Sequence, residues 1–201
     1  DMVTHVGTQS AKNVCSMYEL VRSGTVGIPY LDFDYMADCP KPHILAKIVA
    51  ALSAYVEQQL SKTPRFVVID SSREKATGYK NSYHILLHDV GGFRAAATGT
   101  DGDMKLFFRI FVQQLQDDEL KALPASVSDL SVYAANSNMR TIGSFKPDDA
   151  SKTRLVAHGD YSSQNPADYF IHQSGLELIE LPAGMRPAPT AARPAASAVA
   201  S

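Results

Sequence analysis

Hydrophobic and polar positions along this chain switch between a period near 3.6 and a period of two, the mark of mixed helix and strand. Leu45, Val49, Leu52, Val56 and Leu60 recur at helical spacing, and Pro42 suits a first turn, which predicts a helix over 43–60. Phe107, Phe108, Phe111 and Leu115 form the inward face of a second helix over 103–116. A short helix is predicted over 10–22, capped near Ser10 and ended by Ser23-Gly24, and another over 166–172. Residues 26–35, 65–70, 80–88, 127–133, 139–145 and 152–158 read as strands, with the polar turn 134–138 joining two of them. The sum is an α+β chain with a central mixed or antiparallel sheet.

The last twenty residues break both periods. PAGMRPAPTAARPAASAVAS holds four of the eleven prolines and eight alanines, a composition that packs no core. A folded unit over 1–181 followed by a linker or disordered tail over 182–201 is expected, and a linker there implies a further domain beyond it. Elsewhere, 45% hydrophobic and 20% charged residues exclude global disorder. No apolar run reaches the roughly 18–20 residues of a membrane helix, and no secretory pattern is visible. Cys15 and Cys39 alone exclude a disulfide scaffold or a cysteine-only zinc site, so an intracellular, reducing setting is expected. Net charge is −2, and setting aside Arg186 and Arg193, the charged residues of the tail, makes it more negative. Any site for a polyanion is therefore local.

Three segments carry chemistry. In IPYLDFDY, Asp32 and Asp34 project to one strand face, about 6–7 Å apart along the chain, while Leu31 and Phe33 face the other way. Two adjacent carboxylates repel unless a cation lies between them, and Mg²⁺ or Mn²⁺ suits that oxygen-rich pair; a solvated strand end is the plainer alternative. In KNSYHILLH, Lys80, Ser82 and His84 share a face and offer a cation, a hydroxyl and an imidazole to phosphate or sugar. His84 and His88 lie about 13 Å apart along the strand, too far to hold one ion together. In VSDLSVYAANSNMRTIGSFK, Asp129 adds a third carboxylate, and Arg140 and Lys146 sit at even spacing as a phosphate clamp. Asn136 and Asn138 suit the intervening turn, because asparagine tolerates the left-handed conformation.

In this order, YLDFDY, SSREKATGYKNSYHILLH and VSDLSVYAANSNMRTIGSFK resemble the three motifs of the archaeo-eukaryotic primase superfamily. The similarity is to the branch holding the eukaryotic primase-polymerase and the primases of large DNA viruses, of poxvirus and herpesvirus type. It spans residues 28–146, and the segment Asp168-Tyr169-Phe170 resembles the element that often closes that core. The resemblance implies an α+β primase-like core, with an N-terminal αβ unit, a C-terminal RRM-like sheet and the active site in the cleft between them. It implies DNA-templated nucleotidyl transfer with two Mg²⁺ or Mn²⁺ ions held by Asp32, Asp34 and Asp129. Lys80, Ser82, His84, Asn138, Arg140 and Lys146 would hold the incoming ribo- or deoxynucleoside triphosphate, and Arg73 and Lys75 the template strand. Single-stranded template and primer are the implied partners, with no membrane. The first motif is Asp-x-Asp where the primase-polymerase branch commonly has Asp-x-Glu, as in several viral relatives. With two cysteines and no G-x-x-x-x-G-K-S/T run, neither the zinc module nor the helicase of some relatives is expected within this stretch. Either would belong to a further domain. A metal-dependent nuclease on the same three aspartates, and a degenerate module that only binds nucleic acid or protein, are the alternatives.

Overall fold

A computed structural model describes residues 18–97, 101–123, 130–145 and 153–185. Its strands are β1 (Tyr18–Val21), β2 (Val26–Gly27), β3 (Tyr30–Ala37), β4 (Arg65–Asp70), β5 (Arg73–Lys75), β6 (Gly78–His88), β7 (Phe93–Arg94), β8 (Ser137–Arg140) and β9 (Val156–Ala157). The helices are α1 (Pro42–Leu60), α2 (Asp103–Gln114) and the single turn α3 (Asp118–Lys121). Side chains 81–88 are buried on both faces of β6, as a central strand requires. Accordingly β6 lies in the middle of a five-stranded antiparallel sheet of order β3-β6-β4-β9, with β5 paired to its first residues. Because β3 and β4 each run antiparallel to β6, they are parallel to one another, and α1 connects them across it as a split β-α-β unit. Two small antiparallel ribbons, β1–β8 and β2–β7, complete the pairing.

The α+β class and the antiparallel sheet agree with the sequence pattern, and α1, α2, β4 and β6 fall within two residues of their expected bounds. Other elements differ from the expected pattern. Residues 18–21 form a strand rather than the end of a helix, since Tyr18 and Leu20 point out while Glu19 and Val21 point in, and β8 supplies the pairing. Pro29, which has no N–H to donate, separates β2 from β3 where one strand was expected. Leu130–Tyr133 is a 3₁₀ turn and not a strand, and β8 ends at Arg140, followed by a turn at Gly143. Among the described residues, the large sheet takes β3 through β6 from residues 30–88 and β9 from 156–157. Residues 130–185 contribute β8, β9 and short turns. At the far end, Ala183–Met185 forms a 3₁₀ turn with Met185 buried, so the core extends into the segment expected as tail.

An aromatic chain ties these parts together. Tyr55 of α1 meets Phe107 of α2 at 4.8 Å, Phe107 meets Phe108, and Phe108 stacks on Tyr133 at 5.6 Å. Tyr133 then contacts Tyr30, the first residue of β3, at 5.2 Å. The Tyr133 hydroxyl donates to the Tyr30 carbonyl (2.7 Å), and the Tyr30 hydroxyl donates to the Val132 carbonyl (3.1 Å). The core thereby locks the 130–133 turn onto the strand that carries Asp32 and Asp34. No helix among the described residues is long and apolar enough to cross a membrane.

Candidate active site

Strand register assembles the site. In the β3–β6 pair, Asp32 lies opposite His84, Asp34 opposite Ser82, and Met36 opposite Lys80. Alternation sends the polar set to one face while Leu31, Phe33, Tyr83 and Ile85 enter the core. The register is guarded at its end by Gly78, whose φ of +131° already favours glycine. A Cβ there would also lie 2.6 Å from the Ala37 carbonyl oxygen. At the junction of β4 and β5 the Ser71 N–H donates to the Ser82 carbonyl, and the Ser72 hydroxyl accepts from the Ser82 N–H. The β1–β8 ribbon supplies the opposite wall, with Tyr18 paired to Arg140 and Leu20 to Asn138.

The result is a pocket of about 330 Å³ lined by Asp32, Asp34, Lys80, Ser82, His84, Asn138 and Arg140, closed by Tyr18, Tyr30, Val132 and Met139. That volume lies within the roughly 300–1,000 Å³ of small-molecule sites. Seven of the expected site residues thus meet in one cavity. Asp129 and Lys146 lie outside the described residues. Arg73 and Lys75 do not line the pocket: they sit on β5, Arg73 opposite Lys80 and Lys75 at the exposed hairpin tip. Asn138 is a strand residue and not part of the turn, whereas Asn136 takes the left-handed conformation (φ 57°) and its side chain accepts from the Ser23 N–H.

The polar contacts divide unevenly. Lys80 Nζ donates to Asp34 Oδ2 at 2.6 Å. The other oxygen, Asp34 Oδ1, is buried with no hydrogen-bond partner among the described residues. His84 Nε2 lies 3.8 Å from Asp32 Oδ1, too long for a hydrogen bond. The Ser82 hydroxyl sits 2.8 Å from the buried Ser71 hydroxyl, which fixes its direction. Burial pulls the Arg140 guanidinium below its usual range; Tyr18, Asp32 and Asp34 oppose that shift, and the Arg73 charge adds to it. Arg140 stays charged at any ordinary pH. Burial also raises the Tyr30 phenol, which remains neutral.

Two facing carboxylates with one unfilled oxygen form a donor set for a hard divalent cation such as Mg²⁺ or Mn²⁺. Among the described residues no three His, Cys, Asp or Glu side chains converge as a metal site, and the expected third ligand, Asp129, is not among them.

Other residues singled out by sequence serve structure. Asp168 accepts from Arg65, Ser163 and Asn165, and its carbonyl accepts from His88 Nε2. Sequence reasoning missed Tyr18 and Tyr30 as pocket walls. The alternation in YELV was the available signal for Tyr18, and the even spacing of Tyr30 from Asp32 and Asp34 the signal for Tyr30. No protein-family model matches the chain, and no curated protein matches it.

Proposed function

We propose that this chain catalyses template-directed nucleotidyl transfer, adding nucleoside triphosphates to a DNA primer, or starting one, in the manner of the archaeo-eukaryotic primases its motifs resemble. One observation carries the reading. Asp34, a half-buried carboxylate whose Oδ1 atom is buried and meets no hydrogen-bond partner among the described residues, shares a pocket of nucleotide size with a second carboxylate and with Lys80 and Arg140. A nuclease using water would gain little from two cations aimed at the same cavity, whereas a triphosphate carries the charge they match.

Asp32 and Asp34, with Asp129 as the expected third ligand, would hold divalent ions that activate the primer 3′-hydroxyl and stabilise the departing pyrophosphate. The chain's own groups do the rest. Lys80 and Arg140 neutralise the phosphates, Arg140 the more effectively because its planar fork is held in a half-buried wall. The Ser82 hydroxyl, oriented by Ser71, and the His84 imidazole hydrogen-bond the phosphates or sugar. Asn138 contributes amide donors from the ribbon side.

The test is primer extension and de novo priming with Mg²⁺ or Mn²⁺, comparing wild type with Asp32→Ala. Wild type should incorporate nucleotide, and the substitution should lower incorporation by about 10³-fold or more, the loss of ~4 kcal/mol of transition-state stabilisation. Incorporation that survives Asp32→Ala would sink the mechanism. Strand cleavage without triphosphate dependence would instead assign a nuclease. Tight triphosphate binding with no turnover under either metal would assign a degenerate module.

A further inference from the structure

We propose that a second pocket, which shares Tyr18 with the candidate active site, binds one nucleotide of the single-stranded DNA on which the enzyme works. This rests on the nucleotidyl-transfer reading. The pocket holds about 380 Å³ and its floor is apolar. Tyr18 and Leu20, neighbours on the outward face of β1, are 41% and 43% exposed. Phe170 and Ala167 form the facing wall.

The polar groups of this pocket fall into two kinds. Glu19 and His172 are already committed to each other and to the backbone. Glu19 Oε1 accepts from the His172 N–H and lies 2.9 Å from His172 Nδ1, Glu19 Oε2 accepts from the Ile171 N–H, and His172 Nε2 lies 3.1 Å from the Thr25 hydroxyl. They build the wall and recognise nothing further. Arg22, by contrast, is exposed, and its guanidinium meets no partner among the described residues. A flat aromatic and aliphatic floor beside one open guanidinium matches an aromatic base and its phosphate. An acidic peptide would need several cations, and this pocket has one. Because Tyr18 borders both cavities, their occupants touch the same ring, as neighbouring nucleotides on one stacking side chain do.

The experiment measures binding of fluorescent oligo-dT to the whole chain across a salt series, beside Mg²⁺–triphosphate binding, for wild type, Arg22→Ala and Ala167→Trp. Arg22→Ala should weaken DNA binding about tenfold at low salt and flatten the slope of log K against log salt by about 0.7, one phosphate contact on a single strand. Ala167→Trp, which fills the pocket from an exposed position, should weaken DNA binding at least threefold with the slope retained. Both variants should bind triphosphate as wild type does. Unchanged DNA affinity and slope in Arg22→Ala would overturn the pocket alone, provided that wild type binds and incorporates triphosphate. Equal loss of triphosphate and DNA binding would overturn it as a separate site. Displacement of DNA by poly-glutamate at matched charge would reassign it to an acidic peptide. A wild-type chain with no metal-dependent triphosphate binding would remove the functional reading itself.

Discussion

Asp168 and Asp34 are both partly to fully buried aspartates beside a cation, and their surroundings could hardly differ more. Asp168 is saturated: Oδ2 receives Arg65 Nη1 at 3.0 Å and the Ser163 hydroxyl at 2.6 Å, and Oδ1 receives Asn165 Nδ2 at 3.1 Å. Burial alone would raise its pKa, yet Ser163 and Arg65 outweigh burial and hold the carboxyl below the usual range. Asp34 has Lys80 on one oxygen and an open, buried second oxygen. Three accepted hydrogen bonds on one acid and a single ion pair on the other give the two carboxylates different surroundings. The first secures the 163–172 segment to the sheet; on the proposed reading, the second would keep a coordination position available.

The largest expected effect is therefore a crossed result. Asp168→Ala removes three hydrogen bonds, although Arg65 keeps Asp89 and water, and should cost about 1–2 kcal/mol in urea unfolding with the candidate chemistry intact in the folded fraction. Asp34→Asn should change stability by less than about 1 kcal/mol and remove most of the incorporation activity. Equal destabilisation by the two would erase the distinction.

Acid sensitivity sharpens it next. A depressed Asp168 carboxyl contributes stability above the ordinary carboxylate pKa of about 3.9, and that stability is lost as pH falls through the lower folded value. His88, whose pKa burial lowers, stays neutral in the fold, while the unfolded chain takes up a proton below about pH 6.5. In both cases the unfolded state binds more protons, so unfolding free energy should fall on acidification, first below about 6.5 and again below about 4. Asp101, Asp117 and Glu119 are depressed as well, so Asp168→Asn should shrink the lower step in a pH series of urea melts without abolishing it, and leave the upper one.

A smaller effect concerns Lys80. On the proposed reading its ammonium and a divalent ion would compete for the Asp34 carboxylate, in a pair whose side chains are 24% and 33% exposed. Lys80→Met should tighten Mn²⁺ binding about fivefold without nucleotide, roughly 1 kcal/mol for a partly screened pair, and weaken triphosphate binding. Smallest of all, Ser71→Ala should raise the KM for triphosphate about twofold, by freeing the Ser82 hydroxyl to rotate, with kcat little changed.

Much of this was legible in the chain. The alternation in YLDFDY and KNSYHIL already sent Asp32, Asp34, Lys80, Ser82 and His84 to common faces, because strand geometry has only two faces to choose from. The apolar stripe of α1 and the aromatic one of α2 were equally readable, since each is local. What could not be read depends on distant partners. β1 pairs with Ser137–Arg140, far along the chain, and that pairing overrides the local helix signals around Tyr18. The 130–133 turn is held by hydroxyl–carbonyl bonds with Tyr30, which no local propensity encodes. The Lys80–Asp34 contact crosses the register diagonally, Asp34 facing Ser82, so pairing rules alone would not have predicted it.

The central claim is that Asp34 keeps a ligand position open for a divalent ion, and titration of free Mn²⁺ by electron paramagnetic resonance tests it most directly. Wild type should show saturable binding that Asp34→Asn abolishes while its urea midpoint stays in place. Saturable binding that persists unchanged in Asp34→Asn, or no saturable binding by wild type at millimolar Mn²⁺, would contradict the account.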